Sequence, residues 1–83
     1  ENHNMADEQI QALNQILAVI DEKATKFKTE RYGMHAARKG PEKDLILKLI
    51  ADALSIAEQI QPRPVDVIND LRVLDKDLRT IPV

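Results

Sequence analysis

Ile10, Leu13, Leu17, Ile20, Ala24 and Phe27 recur at alternating steps of three and four residues, which places them on one stripe of an α-helix. Ile16 and Val19 widen that stripe. No period-two alternation competes with it anywhere in the chain, so the fold has to bury helix against helix. The spacing predicts a first helix over about residues 5–32, with Asn4 as its N-cap and Asp7 and Glu8 as first-turn acids.

Continued beyond Glu30, the same stripe would present Arg31, Met34 and Arg38, and two arginines on a buried seam are costly. The expected resolution is a stop or kink at Tyr32-Gly33. Gly33 would be the C′ residue, with Lys26, Lys28 and Arg31 complementing the helix dipole. The other resolution is an unbroken helix on which Lys28, Arg31, His35 and Arg38 share a basic ridge.

Gly40-Pro41 marks the next boundary. Proline suits the first turn of a helix and Glu42 and Asp44 follow as acids, which predicts a second helix over about 41–61. Its apolar positions run from Leu45, Ile46 and Leu47 through Ile50, Leu54 and Ile60, and they exceed the arc that one neighbour can cover. Asp44, Lys48 and Asp52 supply its polar side as i,i+4 pairs. Pro62 and Pro64 end it, and a third helix follows over about 65–79. Val67, Ile68, Leu71, Leu74, Leu78 and Ile81 form its apolar face, Asp75 can pair with Arg79, and Ile81-Pro82-Val83 is a short tail that docks or frays.

The expectation is an all-α, three-helix antiparallel bundle forming a single domain over residues 1–83, with a short fourth helix between Met34 and Lys39 as a variant. Met5-Ala6-Asp7-Glu8 reads like a native start, which makes residues 1–4 a cloning remnant or an unordered lead-in. A chain of 83 residues with one Phe, one Tyr, no Trp and no Cys has neither large rings nor disulfides to enlarge a small core. Self-association would add burial, so a homodimer is expected, meeting through Leu47, Ile50 and Leu54 of the second helix.

The chemistry permitted is narrow. Ser55 is the sole serine, His3 and His35 are the only histidines, and glycine occurs only at Gly33 and Gly40. Hydrolytic triads, phosphate-cradling glycine loops and metal sites built on histidine or cysteine therefore have no residues to form from. Asp66, Asp70 and Asp77 near one helical face, and Asp44 with Asp52, are carboxylates of the kind used in helical di-metal sites. Their alternation with basic residues reads instead as a solvated face. His35-Ala36-Ala37-Arg38-Lys39-Gly40 resembles the histidine and lysine-glycine of helical phosphotransfer domains. Its lysine comes one position late and Pro41 ends the segment, so that function is not carried over.

What stands out is charge. Residues 23–43 hold seven basic side chains against two acids, a net +5, while the rest carries −7 toward the overall −2. Lys23, Lys26, Lys28, Arg31, Tyr32, His35, Arg38 and Lys39 are the candidate partner or polyanion contacts. The expected function is a non-enzymatic interaction or oligomerisation module, adaptor or regulatory, needing no cofactor and acting on another protein in the cytoplasm rather than in a membrane. The alternatives are a nucleic-acid-binding regulator using that basic segment and a small metal-dependent helical enzyme; a sequence pI near 5.6 weighs against the first.

Overall fold

A computed structural model describes residues 5–82, with side-chain environments from Asp7 onward. The expected cap at Asn4, the lead-in over residues 1–4, and Val83 lie outside the described residues. Three α-helices follow in order: α1 (Met5–Glu30), α2 (Ala36–Ala57) and α3 (Val65–Arg79), with a single 3₁₀ turn, Arg31–Gly33, between the first two. The all-α three-helix bundle read from the sequence is the observed fold.

α1 ends where its apolar stripe would have turned basic. Arg31–Gly33 tightens into the 3₁₀ turn, the Met34 amide donates to the Arg31 carbonyl at 3.3 Å, and Met34 is extended at φ −89, ψ 137. The break at Tyr32-Gly33 is therefore present and the continuous ridge is not. Its means differ from expectation: no glycine has positive φ, so Gly33 is not a left-handed C′ cap.

α2 corrects the expected start at Pro41. It begins at Ala36 and carries Pro41 within it. Ala36, Ala37, Arg38 and Lys39 are all strong helix formers. Gly40, lacking a Cβ, removes part of the clash that proline imposes on a helical predecessor. Pro41 is exposed and close to the helix start, so its missing N–H leaves the Ala37 carbonyl to water. The other end also moves. α2 stops at Ala57 rather than near Gln61, and successive i→i+3 bonds, Gln59 N–H to Ile56 and Ile60 N–H to Ala57, tighten the exit. Ile60 is buried as a result.

Both α1 and α3 pack on α2, whereas α1 and α3 scarcely meet. Gln9 Nε2 donates to Gln59 Oε1 at 3.1 Å, tying the start of α1 to the end of α2. Lys43 Nζ donates to the Ile81 carbonyl at 2.8 Å, tying the start of α2 to the tail after α3, so successive helices run antiparallel. The apolar excess of α2 is met inside the chain in part: Ile46, Ile50, Ala53 and Ala57 are buried between Leu13, Ile20, Ala24 and Phe27 on one side and Ile68, Leu71 and Leu78 on the other, while Leu45 is 41% exposed. The outcome is a thin slab of 50 × 22 × 16 Å. Its radius of gyration is 14.4 Å, against about 12 Å for a compact chain of this length.

The charged surfaces follow helical spacing. Lys48 pairs with Asp52 at 3.1 Å, rather than with Asp44, among the described residues. Asp75 accepts from Arg79 Nε, and that hydrogen bond, then the carboxylate's charge, raises the guanidinium above its ordinary pKa against desolvation.

Candidate binding surfaces

The basic segment is folded into an elbow that spends or scatters most of its charge. Lys23, Lys26 and Arg38 line a cavity of about 110 Å³ with Phe27, Met34, Glu30 and Glu42, so two acids stand among its three cations. Arg38 is ion-paired to Glu42 at 3.6 Å. Arg31 lies over the Tyr32 ring, 4.6 Å from its centroid, and donates to the Tyr32 hydroxyl, while Tyr32 itself is 81% exposed. Lys39 borders a shallow pocket with Arg31, Tyr32, Ile81 and Pro82. Lys43 is engaged by the Ile81 carbonyl. Lys28 is exposed near the end of α1, and His35 is exposed at the entry to α2, where its carbonyl accepts from Arg38 and Lys39. The helix break thus puts Lys28 and Arg31 on a different element from His35 and Arg38, so the four do not share one helical ridge.

Of the residues expected to meet a second copy, Ile50 alone is fully enclosed. Ile50 is 0% exposed and belongs wholly to the chain's own core, so it offers no surface to a dimer partner. Leu47 and Leu54 are half-buried and pack against that core. The carboxylates weighed for metal chemistry do not gather: among the described residues, no group of three or more His, Cys, Asp or Glu side chains is placed to hold an ion. No described helix is long and apolar enough to cross a membrane.

The surface that sequence reasoning missed lies between α1 and α3. Leu17, Ile20, Val67, Leu71 and Leu74 line a groove of about 200 Å³, with Asp21 on its α1 side and Asp70 on its α3 side. It exists because both helices rest on α2 without closing on each other. Ile10, 43% exposed, continues the Leu17 flank two turns earlier along α1. On α3, Asp66, Asp70, Val73 and Asp77 fall within about 60° of one another at 100° per residue, so an acidic strip borders the groove. Val73, in that strip, is 60% exposed. The groove is smaller than the roughly 300–1,000 Å³ of small-molecule pockets, and its apolar floor suits one or two inserted side chains.

No family model matches the chain, and no curated protein or solved structure matches it either.

Proposed function

We propose that the chain is a non-enzymatic helical interaction module, adaptor or regulatory in role, whose binding surface is the α1–α3 groove. The observation that carries this is the apolar groove between two helices that already have a packing partner in α2: half-buried Leu17, Val67 and Leu74 line it, over the buried Ile20 and Leu71. A groove between parallel-running helices is a seat for another helix, which would complete a four-helix arrangement and bury the floor. The elbow supports polyanion binding less well, because Glu30 and Glu42 share its cavity and Arg38 is already paired.

Site-specific photo-cross-linking in the source cells tests this. A photoreactive residue replacing Asp70, at the groove, should give a discrete protein adduct, and the same residue replacing Lys76, which lies off the groove, should not. Both positions are exposed, so neither replacement disturbs the core. Equal adducts from the two positions, or none from position 70, would remove the groove as the binding surface.

A further inference from the structure

The geometry points to a basic amphipathic helix from a different protein as the occupant of the α1–α3 groove. This rests on reading the chain as an interaction module, and goes beyond it by fixing the partner's chemistry. The partner presents two leucine- or isoleucine-type anchors, at i and i+3 or i+4, flanked by lysine or arginine.

Three observations converge on that occupant. The floor is apolar and small, so it accepts aliphatic anchors rather than a metabolite. Asp21 and Asp70 face one small groove from opposite sides, and neither enters an ion pair among the described residues. Two like charges beside an apolar floor repel, and a partner's cations would replace that repulsion with attraction. The strip of Asp66, Asp70 and Asp77 extends the same sign along α3, over about 16 Å of helix. Among the described residues, no cation lines the groove.

The same charges argue against a second copy. In a two-fold dimer a surface meets itself, so a groove-to-groove contact would bring both Asp21 and both Asp70 side chains together around a desolvating interface. A heterologous partner of opposite sign avoids that penalty.

The test uses two synthetic helices of about 16 residues, long enough to span α3. They have identical leucine anchors and carry lysine in one and glutamate in the other at the flanking positions. Fluorescence anisotropy of each against the full chain should show roughly tenfold or greater preference for the lysine helix, diminishing with added salt. Asp21→Asn with Asp70→Asn should weaken the lysine helix about three- to tenfold. Asp44→Asn, exposed on α2 away from the groove, should leave it unchanged, and Leu17→Ala should weaken both helices.

Equal affinity for the two helices would overturn the inference, as would the same loss from Asp44→Asn as from the rim pair. Failure of both helices to bind, with cross-linking from position 70 intact, would overturn this partner class and leave the interaction module standing. Sedimentation of the chain alone should give a monomer; a dimer dissociated by Leu17→Ala would seat a second copy in the groove and overturn the inference.

Discussion

Replacing Pro41 with alanine distinguishes two helix starts by the sign of its effect. In the structure Pro41 is the sixth residue of α2, so its ring displaces the N–H that would bond to the Ala37 carbonyl and presses on that same carbonyl. A proline deep in a helix is about 3 kcal/mol less favourable than alanine. Here Ala37 and Pro41 are exposed, so water reaches the orphaned carbonyl and moderates the loss. Proline also restricts the unfolded chain, which offsets a further 0.4–1 kcal/mol or about that. The net expectation is that Pro41→Ala stabilises the protein by about 1–2 kcal/mol. For a domain of this size that raises the melting temperature by roughly 5–15 °C, read by far-ultraviolet circular dichroism. Gly40 sharpens the test. A Cβ added there meets nothing beyond its chain neighbours. Gly40→Ala should therefore gain about 1 kcal/mol in the Pro41→Ala background, and much less beside proline, where the new Cβ meets the ring. A melting temperature unchanged or lowered by Pro41→Ala would refute this, because it is the response of a proline at the first helical position.

Ile50→Ala, at a site with 0% exposure, should destabilise by about 2–5 kcal/mol in a denaturant titration; a loss below about 1 kcal/mol would place Ile50 outside the core. Gly33→Ala should stabilise by about 0.4–1 kcal/mol, since its φ is negative and an added Cβ meets open space; destabilisation would indicate a left-handed residue there. Lys43→Met removes the donor to the Ile81 carbonyl and should speed hydrogen exchange at Thr80 and Ile81 several-fold, about 1 kcal/mol of local protection; unchanged exchange would show that the tail docks without it. Duplex DNA at physiological salt should not be retained by the chain in a gel-shift assay, because acids interrupt the elbow; salt-sensitive retention lost on Lys23→Ala with Lys26→Ala would restore the polyanion reading.

α3 was legible almost to the residue, because Pro64 stands directly before its first turn and its apolar stripe repeats cleanly from Val67 to Leu78. The break after α1 was legible for an electrostatic reason, since the seam would otherwise bury Arg31 and Arg38. Pro41 misled because a proline near a helix start has two placements, and choosing between them required weighing Ala36 to Lys39 as helix formers. Ile50 was misplaced for a different reason. A helix apolar over so wide an arc needs more than one cover, but periodicity does not reveal whether the second cover is α3 or another copy. The groove was hidden by the same ambiguity. Leu17 and Leu74 look like core positions on their own helices, and only the three-dimensional arrangement shows that the two flanks face each other across a gap.

The side-by-side seating of α1 and α3 on α2 makes the fold cooperative in one direction only. α3 is joined to α2 by Ile68, Leu71 and Leu78, by the Glu58–Arg72 pair at 3.2 Å, and by the tail held at Lys43. With little contact to α1, it can detach as a unit while the α1–α2 hairpin persists. Amides of α3 should then exchange through this partial opening sooner than those of α1 and α2. A helix bridging Leu17 and Leu74 would link the two opening modes, because α3 could no longer leave without breaking contacts that also hold α1. Occupancy would register chiefly as slowed exchange along α3, with little displacement of the backbone.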